Sequence, residues 1–367
     1  MADKKSLNAG LDYMIFVPVI LLLCMGLVIL YSASSQLAAD KLGDSYFYLK
    51  RQTLFCVSGI VLMMTAKSIP YRFYSKLTYA LLGISLVLLI ILFIPGLGYE
   101  VGGASRWLRL GGLSFQPSEL AKFSLALYMA YSMAKKGSDM GFFTVGLLPN
   151  LIIAGTFMGL IILEPDLGTT VIIGLWILIF FFVGGARLYQ LVLILIVFTP
   201  IVAWFILHAE YRLKRWWAFI NPWNDPQGFG FQIIHSFLAF GSGGFFGVGL
   251  GNSKQKLYYL PEAHTDFILS IAAEELGYIG ITCIICMFGL VIMRGIKVSL
   301  SAPDLYSSYL AFGLTAMFGL QVLINMAVVM GLLPTKGLSL PLISYGGSSM
   351  VINLIGIGIL LGISSKR

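Results

Sequence analysis

Five ionisable residues crowd one end of a long apolar segment. The stretch from Pro261 to Glu275 reads PEAHTDFILSIAAEE, and the apolar run that follows continues to Met293. The five are Glu262, His264, Asp266, Glu274 and Glu275. Charge is scarce elsewhere, because 58% of the residues are hydrophobic and only 11% are charged. Ionisable groups are costly beside or inside hydrocarbon and usually mark a functional site there. The pattern therefore indicates polar chemistry at one face of a membrane.

Asp266 is the best candidate for that chemistry. A carboxylate at the boundary between hydrocarbon and water is well placed as a general base, since partial desolvation raises the pKa of a carboxyl towards neutrality. Thr265 or Asp266 is equally suited to capping the helix that follows, which is worth about 1 kcal/mol. The position alone leaves both interpretations open. His264 has no Ser or Cys partner at a recognisable spacing, so no hydrolase triad is indicated.

Two further segments combine acidic residues with a helix start. Pro117 suits the first turn of a helix, and Glu119 and Lys122 then occupy neighbouring positions on its surface. They are either a self-neutralising structural pair or part of a substrate pathway. Asp166 follows Glu164 and Pro165 in a very short turn, where it either caps the next helix or contributes to a site.

Two more segments combine basic residues or broken backbone with membrane depth. Arg212, Lys214 and Arg215 stand beside two tryptophans, a pattern that fits an interfacial anchor and equally fits binding of lipid phosphates. The segment 335–349 reads TKGLSLPLISYGGSS, and its proline and glycine pair interrupt the helical pattern. Such breaks commonly expose backbone groups to a substrate, although close packing of small residues is the alternative.

Composition excludes several other classes of protein. No nucleotide phosphate loop and no zinc motif is present. The four cysteines lie in apolar runs, which predicts buried thiols rather than a redox or metal pair. The formal charge of +8 comes from basic residues between hydrophobic spans, so we expect anionic or phosphorylated membrane lipid, and not nucleic acid, as the partner.

The apolar runs predict an all-α integral membrane protein with about ten transmembrane helices in a single domain over residues 1–367. The predicted spans are 13–33, 52–69, 77–97, 117–134, 144–163, 167–184, 187–207, 266–293, 306–331 and 342–362. A long extracytoplasmic loop, 208–265, joins the seventh and eighth spans. Within it, residues 231–250 are apolar enough to span but carry five glycines, so we predict a broken segment that dips into the outer leaflet.

Basic residues set the expected orientation. Twelve Lys and Arg residues lie in the tails and loops on the side of the termini, and the short loops of the other side carry fewer. By the positive-inside rule both termini are cytoplasmic and the segment 261–266 faces outward. The charged residues within the predicted spans lie mostly towards that outward side, which favours chemistry there over transport across the membrane.

Five motifs in order resemble one known family. They are FQPSELAK at 115–122, EPDLGTT at 164–170, PEAHTDFI at 261–268, EELG at 274–277 and LPLISYGGSS at 340–349. Together they resemble the SEDS family of bacterial cell-wall proteins, which includes FtsW, RodA and SpoVE. The chain is more similar to the FtsW and SpoVE branches than to RodA.

The resemblance implies an enzyme of cell division and cell shape. It implies a peptidoglycan glycosyltransferase in the bacterial cytoplasmic (inner) membrane, which polymerises lipid II, the undecaprenyl-pyrophosphate-linked disaccharide pentapeptide. A class B penicillin-binding protein, a transpeptidase, and other division proteins are the implied partners. The alternatives for the same family are a lipid II flippase and a scaffold that recruits a penicillin-binding protein.

The resemblance also carries over site residues. Asp266 matches the essential acid of the family, Glu119 and Lys122 match a polar pair in its central cavity, and Arg51 and Arg106 match basic residues nearby. Asp166 lies in the matching turn. The basic residues suit a pyrophosphate leaving group, which needs cations. The full expected substrate-binding set is Arg51, Arg106, Glu119, Lys122, Asp166, Arg212, Lys214, Arg215, His264 and Ser344. A divalent cation, Mg²⁺ or Mn²⁺, is expected to bridge the pyrophosphate, although no metal-binding motif is readable.

Overall fold

The fold is seen in a computed structural model, which describes residues 10–101, 104–110, 113–256, 260–261 and 263–366. Glu262, one of the five ionisable residues above, lies outside the described residues. The described part contains α1 (Tyr13–Leu42), α2 (Phe47–Ser68), α3 (Tyr71–Ile91), α4 (Pro117–Lys136), α5 (Leu148–Leu163), α6 (Leu167–Val183), α7 (Leu188–Leu207), α8 (Glu210–Ile220), α9 (Phe231–Gly243), α10 (Ile268–Leu300), α11 (Leu305–Val329) and α12 (Gly347–Ser364).

Seven of these helices are long and apolar enough to cross a membrane. They are α1, α3, α5 together with the π-helical turn Phe143–Leu147 before it, α7, α10, α11 and α12. α6 is apolar but has only 17 residues. α2 and α4 are 22 and 20 residues long but carry charged side chains, among them Arg51 in α2 and the Glu119–Lys122 pair in α4. The chain is therefore predominantly helical and multi-pass in character.

Every predicted span coincides with a helix, but the helix ends differ. α1 continues to Leu42, nine residues past the predicted end, and α10 continues to Leu300 instead of residue 293. α3 begins at Tyr71, directly after Pro70, rather than at residue 77. Apolar composition marks the part of a helix that suits hydrocarbon, whereas backbone hydrogen bonding carries the helix on through polar turns.

The expectation of a purely α-helical protein is wrong in one region. Three strands, β1 (Gly98–Val101), β2 (Ala104–Leu110) and β3 (Leu113–Phe115), form an antiparallel sheet in the order β1-β2-β3. Tyr99 pairs with Trp107 across the first ladder. The sequence favours hairpins here, because glycine pairs at 102–103 and 111–112 separate three short runs between apolar spans.

Ion pairs and hydrogen bonds gather several chain segments at one end of the helical bundle. Arg294 of α10 lies 2.9 Å from the carboxylate of Asp12, just before α1, and Ser364 at the end of α12 donates to the same carboxylate at 2.5 Å. The Tyr71 hydroxyl at the start of α3 donates to Asp304, in the α10–α11 connection, at 2.7 Å. Both described termini therefore lie at this end. The opposite end carries the sheet, the 164–166 turn, α8, residues 260–267 and the 330–346 segment.

α10 is interrupted at Gly277, and a glycine-rich loop packs into the interruption. Gly277 has φ 65° and ψ −167°, a conformation that L-residues avoid. The N–H of Val248 donates to the carbonyl of Glu274 at 2.9 Å, and the N–H of Tyr278 donates to the carbonyl of Gly244 at 2.9 Å. α9, which precedes the loop, has 13 residues. At 1.5 Å per residue it spans roughly 20 Å, less than the ~30 Å of a hydrocarbon core. The segment predicted to be broken thus enters the bundle and turns back.

Glu274 and Glu275 anchor this re-entrant segment. The Glu275 carboxylate accepts from Lys256 Nζ at 3.1 Å and from Ser32 Oγ at 2.5 Å. The Glu274 carboxylate accepts from the Ser253 hydroxyl and from the backbone N–H of residue 254 at 3.1 Å. Both acids are almost fully buried, and the ion pair and hydrogen bonds replace much of their hydration, while no described residue hydrogen-bonds Glu275 Oε2. They lie about nine helical residues beyond Asp266 and have a structural role.

Candidate functional site

Asp266 lies in the turn directly before α10. Asn325 of α11 donates from Nδ2 to the carbonyl of Asp266 at 3.1 Å and to the carbonyl of Leu338 at 2.5 Å, which ties the two segments together. A Cβ atom on Gly337 would lie 3.3 Å from Asp266 Oδ2, so the backbone of this segment passes directly beside the carboxylate. The N-cap of α10 is Phe267, with no side-chain capping bond. The two interpretations of Asp266, as a cap of α10 and as a general base, both stay predictions.

A cavity of about 90 Å³ opens beside this turn, and its charged lining is strongly cationic. The charged side chains that line it are Arg106, Asp166, Arg212, Arg215 and Lys336. Gly337, the residue against Asp266, lines it as well. We call it the cation cavity. Four cations against one carboxylate, in a partly desolvated recess, form a preorganised site for a multiply charged anion.

Four segments bring these side chains together: β2, the turn before α6, α8 and residues 334–337. β2 carries Arg106, whose Nε donates to the carbonyl of Glu164 at 3.1 Å and whose Nη2 donates to the carbonyl of Pro165 at 2.6 Å. Asp166 caps α6, since its carboxylate accepts from the N–H of Thr169 at 3.1 Å and from the Thr169 hydroxyl at 2.8 Å. The capping interpretation of Asp166 is confirmed, and the same side chain lines the cavity.

Amphipathic α8 supplies Arg212 and Arg215 from one face. Lys214 points elsewhere: it pairs with Glu210 at 2.7 Å, and 55% of its side chain is exposed. Trp217 and Trp223 are exposed too. α8 therefore offers two arginines to the cavity, and with Trp223 of the following turn it presents an aromatic surface suited to the membrane interface. Both interpretations left open by the sequence are thus combined.

Burial and neighbouring charges shift the ionisation of groups around the cation cavity. Burial lowers the pKa of the Lys336 ammonium, and the nearby Asp166 carboxylate partly opposes that shift. Burial likewise lowers the pKa of the Arg215 guanidinium, while Tyr211 and Asp266 raise it. Burial raises the pKa of Glu164 to about 8, with a further rise from Asp166 and an opposing effect of Arg106. Because Glu164 is then mostly protonated at pH 7, it does not cancel the cations.

The Glu119–Lys122 pair forms the wall of a smaller chamber below. Lys122 Nζ lies 2.8 Å from Glu119 Oε1, and the two residues are only 5% and 7% exposed. The chamber of about 30 Å³ is also lined by Thr169, Gln321 and Gly337. Since Gly337 lines both this chamber and the cation cavity, the pair lies directly beneath the Asp266 site. No described residue hydrogen-bonds the buried Oε1 of Gln321, so the chamber holds an unsatisfied acceptor.

Arg51, His264 and Ser344 surround Tyr345, which is not a lining residue of the cation cavity. The ring of His264 lies 6.2 Å from that of Tyr345. Burial raises the pKa of the Tyr345 hydroxyl, and adjacent Arg51 opposes the rise. The Ser344 hydroxyl accepts from the N–H of Leu340 at 2.8 Å, which stabilises the turn. The structure thus brings Arg106, Asp166, Arg212 and Arg215 together at the cation cavity and places Arg51, His264 and Ser344 around Tyr345.

Comparison with known proteins identifies the family. The cell cycle protein family that comprises FtsW, RodA and SpoVE matches residues 12–367. The chain belongs to this family. It is 46% identical over 355 residues to the probable peptidoglycan glycosyltransferase FtsW of Geobacter sulfurreducens, covering 97% of this chain and 95% of that one. It is 42% identical over 365 residues to stage V sporulation protein E of Bacillus subtilis, covering 99% of both. The resemblance seen in the five motifs is confirmed.

Solved structures of the family share the fold. At 28% identity and 98% coverage of both chains, the TM-score is 0.79 with a chain of a peptidoglycan synthase complex, described as coordinating polymerization and crosslinking. It is 0.71, again at 28% identity and 98% coverage, with the rod shape determining protein RodA of Thermus thermophilus. The family fold and the apolar helices make this chain a multi-pass membrane protein.

Sequence reasoning missed three members of this FtsW/RodA/SpoVE site. Lys336 lies in the segment 335–349, which was selected for its proline and glycines. A single lysine in an apolar stretch is itself a sign of a functional site. Asn325 and Gln321 lie in α11, in an otherwise apolar helix, and could have been found for the same reason. Their roles depend on which segments meet, and that is tertiary information.

The expected divalent cation has few protein ligands available. Among the described residues, no group of three or more His, Cys, Asp or Glu side chains could hold a metal ion. Asp166 lines the cation cavity and Asp266 lies at its edge. Mg²⁺ typically takes one or two carboxylates and completes its shell with substrate oxygens and water, so these two acids fit a cation that arrives with a pyrophosphate. The cation remains a prediction.

Proposed function

We propose that this protein is a peptidoglycan glycosyltransferase that polymerises lipid II into glycan strands at the outer face of the cytoplasmic membrane, during cell division, and releases undecaprenyl pyrophosphate. The names of its relatives support the activity. The single observation that carries the mechanism is the position of the Asp266 carboxylate against the wall of the cation cavity.

The proposed reaction uses the Asp266 carboxylate and the four side-chain cations in different roles. Asp266 accepts the proton of an acceptor sugar hydroxyl that approaches within about 3 Å. The hydroxyl oxygen forms a bond to the anomeric carbon of the donor, and the bond from that carbon to the pyrophosphate oxygen breaks. The leaving group keeps the electron pair, and Arg106, Arg212, Arg215 and Lys336 neutralise its charge electrostatically. The proton then passes from Asp266 to water.

A divalent cation, when bound, would supply additional charge neutralisation on the pyrophosphate. Asp166 and Asp266 would provide its protein ligands. The four cationic side chains of the cavity would hold the phosphates together with it.

The lipid tail of the substrate requires an apolar groove near the cation cavity. A cavity of about 630 Å³ lies between α5, α6 and α7, with a nearly wholly apolar lining that includes Met158, Ile177 and Phe198. It reaches Phe205 near the end of α7, and the next residue, Ile206, lines the cation cavity. This continuity supports the assignment of the groove to the polyprenyl chain, with its pyrophosphate beside α8.

We infer ten membrane spans, α1–α7 and α10–α12, with both termini in the cytoplasm and the site outside. In support, the connections α2–α3 and α10–α11 meet the termini at one end of the bundle, and residues 164–166 and 260–267 lie at the other. The end with the termini carries the basic tails and loops, as the positive-inside rule expects. Single-cysteine labelling of Lys135 and Arg294 from the cytoplasm and of Lys254 from outside checks this orientation.

A crosslinking enzyme is the expected partner. The solved structure that has a TM-score of 0.79 with this chain belongs to a peptidoglycan synthase complex, described as coordinating polymerization and crosslinking. By the same fold, this chain is proposed to bind a class B penicillin-binding protein, whose transpeptidase activity joins the new strand to the wall.

Substitution of Asp266 tests the enzymatic proposal. Asp266→Asn keeps the shape of the side chain, and loss of a positioned base costs about 10² to 10⁴ in rate. With purified protein and lipid II, with and without the cognate transpeptidase, glycan strands should almost vanish, whereas lipid II binding should persist. Asp139→Asn, an exposed acid in the α4–α5 connection, is the matched control. Near-normal polymerisation by a well-folded Asp266→Asn protein would remove Asp266 from the mechanism.

A further inference from the structure

A second cavity of about 340 Å³ adjoins the cation cavity and has a different lining. Gln227, Phe229, Phe231 and Gln232 line it, together with Arg215 and Thr335, and the last two also line the cation cavity. We call it the glutamine cavity. The two cavities therefore share one arginine.

The wall of the glutamine cavity is a preorganised loop. The Asp225 carboxylate accepts from the N–H of Phe229 at 2.9 Å, and its carbonyl accepts from the N–H groups of Gly228 at 3.3 Å and Gly230 at 3.1 Å. A Cβ atom on Gly230 would lie only 2.1 Å from the carbonyl oxygen of Pro222, so the chain is closely packed at this turn. Gln227 and Phe229 are thus presented on a fixed backbone, which lowers the entropic cost of binding.

The lining suits a neutral, hydroxyl-rich ligand. Each glutamine amide offers two donors and a carbonyl acceptor. Within the described part of the chain, neither Gln227 nor Gln232 hydrogen-bonds another residue through its side chain. Phe229 and Phe231 are half-buried and add aromatic surface for C–H groups. Among the described lining residues only Arg215 is charged, and it is shared with the cation cavity. The glutamine cavity therefore matches a sugar ring with an N-acetyl amide better than a phosphate.

The turn that begins at Pro261 and contains Asp266 links the two cavities. Pro261 at its start lines the glutamine cavity, and Asp266 near its end lies beside Gly337 of the cation cavity. A sugar in the first cavity and a pyrophosphate in the second would therefore meet near the carboxylate. We propose that the glutamine cavity is the subsite for an N-acetylated sugar ring of the substrate. The proposal rests on the proposed function, since it places the sugar beside the reacting centre.

Binding measurements test the subsite independently of turnover. Lipid II and undecaprenyl pyrophosphate, which has no sugar, are titrated into the nanodisc-reconstituted protein. Lost amide hydrogen bonds should weaken lipid II binding by the Gln227→Met/Gln232→Met double variant about 10- to 100-fold. Its affinity for undecaprenyl pyrophosphate should stay within about twofold, which also shows that the variant is folded. Trp223→Leu, an exposed aromatic of the same loop outside the cavity lining, is the control.

The outcomes separate the two proposals. If the double variant keeps the full preference for lipid II over undecaprenyl pyrophosphate, the sugar subsite is overturned and the glycosyltransferase proposal stands. If the unaltered protein binds neither lipid and makes no glycan, the glycosyltransferase proposal itself fails.

Kinetics identify which sugar occupies the cavity. Lipid II with a blocked acceptor hydroxyl serves only as donor, and a soluble disaccharide peptide without pyrophosphate serves only as acceptor. A rise of about tenfold or more in the KM of the blocked lipid assigns the cavity to the donor sugar, and a similar rise in the KM of the soluble compound assigns it to the acceptor. Unchanged KM values for both compounds overturn the subsite.

Discussion

The buried carboxyl of Glu164 makes the stability of this protein depend on pH. Glu164 is 3% exposed at the end of α5, and no described residue hydrogen-bonds its Oε1. Its pKa is raised from 4.5 to about 8, first by burial and then by Asp166. Between these two values the folded protein holds a proton that the unfolded chain has released, so the free energy of unfolding falls as pH rises.

The magnitude follows from that shift. At about 1.4 kcal/mol per pKa unit, the loss of stability relative to pH 4 is on the order of 3 kcal/mol at pH 7 and 5 kcal/mol above pH 8. Glu164→Gln stays neutral at every pH and keeps the size of the side chain. The substitution should therefore raise the free energy of unfolding little at pH 5 and increasingly up to pH 9.

Thermal unfolding of the purified protein in detergent at pH 5, 7 and 9 measures this effect. The apparent Tm of the Glu164→Gln variant should fall less between pH 5 and pH 9 than that of the unaltered protein. Glu210→Gln is the control, because Lys214 lowers the pKa of that exposed glutamate and its titration lies below this range. Equal pH profiles for Glu164→Gln and the unaltered protein would refute the raised pKa.

Two further substitutions test the charged groups of the site. Lys336→Met removes one cation from the cavity and should weaken binding of undecaprenyl pyrophosphate about 10- to 100-fold. Lys254→Met, at an exposed position, is the control and should leave that affinity unchanged. Equal losses of affinity in the two variants would deny Lys336 a specific role. Glu119→Gln leaves Lys122 buried without its partner and should destabilise the protein by about 3–5 kcal/mol in thermal unfolding. Glu119→Leu/Lys122→Met should restore much of that stability but lose lipid II polymerisation, and retained activity would make the pair purely structural.

The membrane fold was predictable because hydrocarbon imposes a simple rule on sequence. Apolar runs near twenty residues must become helices, and each predicted span coincides with one. The sheet within 98–115 was missed because its signal is two glycine pairs between short runs, whereas apolar runs reveal only the spans. Helix ends were misplaced for a related reason, since α10 extends to Leu300 on backbone hydrogen bonds beyond its apolar run.

Residue type predicted the site less well than it predicted the fold. Asp266, Glu274 and Glu275 looked alike in sequence, as acids around one apolar helix start. The structure separates them by their partners: Glu275 is neutralised by Lys256, whereas Asp266 lies against the cation cavity. Lys336 was overlooked for the opposite reason, because its role depends on the meeting of the 335–349 segment with α8. Such meetings follow from tertiary packing that no local pattern encodes.

The placement of charge along the bundle also decides between polymerisation and flipping. A flippase must carry a pyrophosphate and a sugar from one end to the other. Below Glu119 and Lys122, the next cavity has a volume of about 40 Å³ and is lined mainly by apolar side chains such as Phe123, Leu314 and Phe318. The cation in its described lining is Lys122, which Glu119 already neutralises at 2.8 Å, so a diphosphate entering it would lose its hydration for little compensating charge, at a cost of many kcal/mol. All four cations of the cation cavity lie at the opposite end from the termini, beside the Asp266 carboxylate. In this conformation the chain is built to hold a phosphate at one face while a bond is made there.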